Sequence, residues 1–148
     1  MKVARMHIHI SVDDLEKSTD FYSKLFGKKP TKQKEDYAKW MLNDPRVNFA
    51  ISARGAKTGL DHLGMQAEEE DEMDGLRERL ERADISTFND GETTCCYAKS
   101  DKTWVQDPAG IAWEVYRNMK DVEYFNDTTM GENTCSDTAR RRGNECCE

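Results

Sequence analysis

Along residues 6–12 apolar and polar side chains alternate with period two. Ile8, Ile10 and Val12 fall on one side and His7, His9 and Ser11 on the other, which predicts a strand with one polar face. Asp13 or Asp14 can cap the helix that follows. Leu15, Phe21, Tyr22, Leu25 and Phe26 recur there at helical spacing, and Gly27 closes it. A looser stretch opens at Pro30. Residues 37–42 and 47–53 read as two strands joined by a turn at Asn43, Asp44 and Pro45. From His62 the order repeats: a strand over 62–67, an acidic run, then a helix with Met73, Leu76 and Leu80 on one face. Short strand candidates follow at 85–88, 95–98, 103–106 and 112–116. The repeat also shows in letters. Trp40-Met41-Leu42-Asn43-Asp44-Pro45 and Phe49-Ala50-Ile51 align with Trp104-Val105-Gln106-Asp107-Pro108 and Trp113-Glu114-Val115, with one gap. The expected class is therefore α+β, from two strand–helix–strands units at about 1–53 and 59–117 with 54–58 as linker, forming one domain over 1–117.

Length fits one domain, since the chain has 148 residues. Its 36% hydrophobic and 34% charged residues are skewed by the acidic run at 68–74 and by the chain beyond Asn118, so the remainder is normally globular. The net charge of -7 argues against nucleic acid or an anionic membrane as partner. Arg140, Arg141 and Arg142 read as a solvated cluster offset by nearby acids. The first residues lack the apolar core of a signal peptide and no stretch suits a bilayer span, so a cytoplasmic location is the default expectation. Five cysteines then read as thiols, metal ligands or redox groups. Residues 126–148 have Met130 as their sole large apolar side chain. That cannot offset the entropy of ordering, which predicts a flexible tail over 118–148 carrying Cys135, Cys146 and Cys147.

Two groups of residues carry chemistry. His7 and His62 lie in the first strands of the two units and Glu114 in the last strand of the second. Related strands of a paired repeat can bring such residues together. Two imidazoles and a carboxylate form the ligand set of oxygen-activating iron, with positions left open for substrate. The bland alternative is a pair of satisfied strand histidines and a solvated Glu114. His9 shares a face with His7 and competes for the ligand role, or serves as a supporting group or a surface residue.

The second group is Cys95-Cys96. Neighbouring cysteines form a strained disulfide, whereas two thiolates chelate a soft element well. Consecutive strand residues point to opposite faces, so chelation requires irregular backbone, and Gly91, Thr93 and Thr94 point to a loop. The alternative is two small buried hydrophobes.

The run His7-x-x-Ile10-x-Val12-x-Asp14-Leu15-x-x-Ser18-x-x-Phe21-Tyr22-x-x-Leu25-Phe26-Gly27 resembles the opening of the vicinal oxygen chelate superfamily. Asp61-His62-Leu63-Gly64 and Asp107-Pro108-x-Gly110-x-x-Trp113-Glu114-Val115 resemble its later motifs, over residues 4–117 in all. The resemblance implies paired βαβββ modules. It also implies a first-strand ligand at His7 rather than His9, and one metal site per chain because Ala50 stands where the second copy has Glu114. Within the superfamily, Cys95-Cys96-Tyr97-Ala98-x-x-Asp101-Lys102-x-Trp104-Val105, Phe21-Tyr22-Ser23-Lys24-Leu25-Phe26-Gly27 and Tyr37-Ala38 look like the carbon–arsenic lyases and the related cadmium-induced proteins. This implies an Fe(II)-dependent dioxygenase acting on trivalent organoarsenicals such as methylarsenite or aromatic arsenicals. His7, His62 and Glu114 would hold the metal and Cys95 and Cys96 the substrate, while Tyr37, Tyr97 and Trp104 line a cavity or simply pack the core. The rivals are another metal-dependent enzyme of the scaffold, such as a thiol transferase or a glyoxalase-like isomerase, and a non-enzymatic cadmium- or arsenic-binding protein. The expected assembly is a monomer or homodimer.

Overall fold

The computed structural model describes residues 4–95 and 98–121, with the strand backbone alone at 88–95, 98–100 and 119–121. The strands are β1 (Arg5–Ser11), β2 (Lys32–Lys34), β3 (Tyr37–Asn43), β4 (Arg46–Ser52), β5 (Gly59–Ala67), β6 (Phe88–Cys95), β7 (Ala98–Gln106) and β8 (Ala112–Asp121). Helix α1 (Leu15–Phe26) follows β1 and helix α2 (Glu70–Arg82) follows β5. All eight strands form one sheet in the order β2-β3-β4-β1-β5-β8-β7-β6. Each half of that order is a βαβββ module, and the halves meet where β1 pairs antiparallel with β5. Within each module the first and last strands run parallel, β1 with β4 and β5 with β8. The expected paired-module α+β architecture is therefore the observed one. Among the described residues no helix is long and apolar enough to cross a membrane.

Local chemistry accounts for the helices. Asp14 caps α1 by accepting the Lys17 N–H at 3.0 Å, and Gly27 ends it at φ 65°, a left-handed conformation that favours glycine. Tyr22 and Phe26 of α1 pack on Trp40, Phe49 and Ile51, while Met73 and Leu76 of α2 pack on Ala67 and Val115. Both helices thus cover the apolar face of the sheet. The opposite face is polar yet also buried: Arg5, His7, His9, Ser11, Asn48, Ser52, His62, Gln66, Lys102 and Glu114 are all shielded from solvent. In β1 the histidine side is more deeply buried than the isoleucine side, the reverse of an ordinary half-solvated strand.

The strand expectations need correction at the two edges of the sheet. The loose stretch after Pro30 contains edge strand β2, and residues 85–87 precede β6 rather than belonging to it. Residues 91–94, expected to form a loop, are part of β6 and pair with β7. Position 95 ends β6 and position 98 begins β7; the middle of the strand expected over 95–98, Cys96 and Tyr97, lies outside the described residues. The reason is common to both ends: β2 (KQK) and β6 (FNDGETTC) lack apolar alternation. Their strand state comes from pairing with one neighbour, and edges carry charge and glycine without penalty. β8 runs to Asp121, four residues past the expected domain boundary at 117. Residues 122–148 lie outside the described residues, and with them the expected tail and Cys135, Cys146 and Cys147.

The register also shifts the letter repeat. Ala50 pairs across β3–β4 with Lys39, and Glu114 pairs across β7–β8 with Trp104. The counterpart of Trp104 is thus Lys39, and Trp40 stands one residue away on the other face. A one-residue slip exchanges faces in a strand. Trp40 therefore packs under α1, whereas Trp104 joins the polar face.

Candidate metal centre

The α1 cap Asp14 stands seven positions after His7, and the α2 cap Glu69 seven positions after His62. The two histidines occupy the same position in the two copies. Strands β1 and β5 are neighbours, so the pair meets at the centre of the sheet: His7 Nε2 and His62 Nε2 are 3.1 Å apart. Glu114, reached through the β5–β8 pairing, places Oε2 at 3.1 Å from His62 Nε2 and 3.8 Å from His7 Nε2. Donors held about 2.0–2.2 Å from one cation stand roughly 3–3.5 Å from each other, so this spacing suits a metal.

Each imidazole is oriented by its other nitrogen. His7 Nδ1 donates to the Asn48 carbonyl at 3.1 Å. His62 Nδ1 donates to Asp61 Oδ1 at 2.7 Å, and Asp61 Oδ2 accepts from Ser11 Oγ at 3.1 Å. Such partners fix the tautomer and turn Nε2 inward with its lone pair available. Glu114 Oε1 pairs with Lys102 Nζ at 2.8 Å, with both side chains wholly buried. Two further groups aim the carboxylate. Gly64 faces Glu114 across β5–β8, where an added Cβ would lie 2.4 Å from the Glu114 carbonyl oxygen. Asp107 holds the turn before β8 by accepting from Ala109 N and Ile111 N at 2.9 Å each and from Trp113 Nε1 at 3.2 Å.

His9 lies beside the pair. One ring nitrogen from each of His7, His9 and His62 lies within 4.8 Å of the others. Trp104 meets the His62 ring edge-on at 5.2 Å and Tyr37 lies 6.2 Å from the His9 ring, so two of the three candidate wall residues flank the histidines. Tyr116 stands edge-on to His7 at 5.3 Å, and its hydroxyl joins Asn48 Nδ2 at 2.8 Å and Gln66 Oε1 at 3.1 Å. Cys95 is described only as the last position of β6, paired with Ala98. Cys96 and Tyr97 lie outside the described residues. The structure thus brings His7, His62 and Glu114 together, while the thiol clamp remains a reading of the sequence. Lys102, Asp61, Gly64 and Ser11 escaped that reading as site residues. Lys102, Asp61 and Gly64 stand inside the motifs quoted above, and a lysine on an inward strand position beside a candidate carboxylate was the available signal.

Protonation follows from burial and partners. Burial, helped by neighbouring His62, lowers His7 to about 3, and burial holds His9 well below 6.5. Burial acts to lower His62 as well, but its bonds to Asp61 and Glu114 outweigh that and raise it to about 9. Burial acts to raise Glu114, yet the Lys102 ammonium and His62 bring it down to about 2. Without metal, one proton therefore sits on His62 where a cation would stand.

A stability profile checks this assignment. Between 6.5 and about 9 the folded chain holds a proton on His62 that the unfolded chain releases, so stability falls as pH rises through that window. Below 6.5 the unfolded chain protonates His7 and His9 while the folded chain keeps them neutral, so stability also falls as pH drops. Glu114 adds stability above 4.5 that is lost only toward about 2. The thermal midpoint of the metal-free protein is expected to peak near 6.5, and metal loading is expected to remove the alkaline decline by replacing the His62 proton. A midpoint that climbs steadily to pH 9 without metal would contradict this protonation.

The sheet order and a metal-suited donor set on its polar face define a paired βαβββ metalloprotein, and the comparisons place it. The family model of the Glyoxalase/Bleomycin resistance protein/Dioxygenase superfamily matches residues 5–115, and the chain belongs to that superfamily. A "Trivalent organoarsenical cleaving enzyme" of Bacillus sp. (strain MD1) is 39% identical over 95% of this chain and 88% of its own length. The "Cadmium-induced protein CadI" of Mycobacterium tuberculosis (strain ATCC 25618 / H37Rv) is 36% identical over 88% of this chain and 90% of its own. Among solved structures, homoprotocatechuate 2,3-dioxygenase from Arthrobacter globiformis superimposes with a TM-score of 0.59 at 20% identity, over 85% of this chain and 39% of that one, a likeness of fold. The superfamily and the histidine group together support a metal site.

Proposed function

We propose that this chain is an Fe(II)-dependent dioxygenase that cleaves the carbon–arsenic bond of trivalent organoarsenicals. The observation that carries the reading is the convergence of His7 Nε2, His62 Nε2 and Glu114 Oε2 within 3.1–3.8 Å, in a chain similar to organoarsenical-cleaving enzymes over most of its length. Two histidines and a carboxylate form the donor set of non-haem iron oxygenases. When bound, Fe(II) supplies the redox chemistry that makes dioxygen reactive.

The remaining roles fall to the protein. His7 and His62 hold the metal through Nε2, kept available by Asn48 and Asp61. Lys102 keeps Glu114 ionised, and Trp104 and Tyr37 exclude water beside the histidines. Cys95 and Cys96 hold the arsenic: two thiols condense with methylarsenite, forming two As–S bonds and releasing two waters. Cys95 ends β6 opposite Ala98, the first residue of the strand that carries Lys102 and Trp104. Fixing both reactants in one site makes their encounter effectively unimolecular, worth several kcal/mol of barrier. The overall conversion balances without another reductant: methylarsenite and dioxygen give arsenite and formaldehyde. The As–C bond breaks, carbon is oxidised and dioxygen is reduced.

The full chain, loaded anaerobically with Fe(II) and given methylarsenite and air, is expected to release arsenite. Cys96→Ser is expected to release almost none. Full activity in that variant would remove the thiol clamp from the account. Tight Cd(II) binding with no arsenite from wild type would favour sequestration, the reading that the cadmium-induced relative's name supports.

A further inference from the structure

The two helices are fastened to the sheet in different ways. The apolar cluster under α1 includes Ala38, Trp40 and Leu42, so it reaches out to β3, the third strand of copy one. The cluster under α2 is built from α2, β5 and β8 with Ala4 against it, and among the described residues it takes nothing from β7. The register gives the reason. With Lys39 the counterpart of Trp104, the counterparts of Ala38 and Trp40 are Thr103 and Val105, which offer α2 less apolar surface than the Trp40 ring offers α1.

A polar clasp joins α2 to β7 instead. Arg77 of α2 donates to Asp101 through both terminal nitrogens, Nη2 to Oδ1 at 2.6 Å and Nη1 to Oδ2 at 3.1 Å. Its Nε donates to Thr103 Oγ1 at 3.3 Å. A guanidinium fork on a carboxylate sets orientation as well as distance. The two residues it grips are the neighbours of Lys102. Side chains alternate along a strand, so 101 and 103 face α2 while 102 and 104 face the metal donors. There Trp104 meets the His62 ring at 5.2 Å, and Lys102 Nζ stands 2.8 Å from Glu114 Oε1. Arg77 therefore holds the backbone at Lys102 from behind the sheet. The side chains of Arg77 and Asp101 are 31% and 19% exposed, and ion pairs open to water add little stability. What the clasp supplies is position.

We propose that Arg77 is a positioning residue of the metal centre, acting through Asp101 and Thr103 on Lys102 and through Lys102 on Glu114. The proposal rests on the His7–His62–Glu114 site proposed above and deepens it. Glu114 offers Oε2 to the histidines while Lys102 holds Oε1, so the direction of the carboxylate depends on where β7 places the ammonium. Partners that orient a ligand in this way commonly alter metal affinity by ten- to a hundredfold when removed. The clasp thus links the back of the sheet to the donor set on its front.

Co(II) affinity of the full chain, measured by titration across a double-mutant cycle, tests this. Arg77→Met is expected to weaken Co(II) binding by roughly tenfold, while the thermal midpoint of the metal-free chain falls by only a few degrees. Lys102→Met removes the group through which Arg77 acts. In that background the same Arg77 substitution is expected to change Co(II) affinity less than about twofold, because effects along one chain of contacts do not add. Should Arg77→Met fail to fold, Asp101→Asn replaces it; the acceptor loses its charge and one prong, and the same pattern is expected at smaller size. Equal losses in the two backgrounds, or no loss in either, would overturn the role of Arg77 and leave the His7–His62–Glu114 site standing. No Co(II) binding by wild type would overturn both.

Discussion

Glu114→Ala is expected to destabilise the chain by about 3–5 kcal/mol and to abolish metal-dependent turnover. The two losses have different origins. Stability is lost because Lys102 Nζ, 2.8 Å from Glu114 Oε1 and wholly buried, loses the carboxylate that offsets its charge in a site shielded from water. Total stabilities of about 5–15 kcal/mol make that a large share. Turnover is lost because Oε2 is the proposed anionic donor beside the two imidazoles. Adding Lys102→Met to Glu114→Ala removes the stranded charge, and replacing a buried pair with apolar groups is often neutral. The double variant is therefore expected to recover most of the thermal midpoint and none of the metal binding. If it recovered metal binding as well, Glu114 would be a structural partner of Lys102 and not a ligand.

Gly64→Ala comes second in size. A Cβ at position 64 would lie 2.4 Å from the Glu114 carbonyl oxygen and 3.3 Å from Glu114 Cβ. The obstacle is backbone, so β8 must shift where it delivers the carboxylate. Overpacking of this kind costs about 1–3 kcal/mol, and a 1 Å misplacement near reacting groups can cost on the order of a hundredfold in rate. Metal affinity and turnover are expected to fall more steeply than the melting temperature. Gly75→Ala is the control. It lies in α2 with nothing within 4 Å, so alanine is expected to stabilise the helix by about 0.5–1 kcal/mol and leave turnover alone. Equal behaviour of the two variants would show that the approach of β5 to β8 does not position Glu114.

What could be read from the letters follows from where the physics is local. Alternation in β1, capping at Asp14 and the left-handed Gly27 are short-range effects, and all were legible. The sheet edges were not, because β2 and β6 owe their state to neighbours distant in sequence. The Trp40/Trp104 letter match misled for a related reason: identical residues one register step apart face opposite sides. His7, His62 and Glu114 could be named from motifs, yet the depth of their burial could not, since polar strand faces ordinarily meet solvent. Lys102 shows the same limit. A lysine in a strand reads as exposed, and only the packed sheet shows it wholly buried against a carboxylate. His9 was legible as a rival to His7 on one face of β1, whereas its burial and its pairing with Ala50 are set by the three-dimensional register.

In the proposed reaction one metal, held where His7, His62 and Glu114 meet, supports oxidative cleavage of an As–C bond. Dioxygen uptake, arsenite and formaldehyde measured together on the full chain with methylarsenite test it most directly. With Fe(II) bound, one dioxygen is expected to be consumed, and one arsenite and one formaldehyde released, for each methylarsenite converted. The metal-free chain and His62→Ala are expected to give neither product. Arsenite released without oxygen uptake, or undiminished in His62→Ala, would contradict the account.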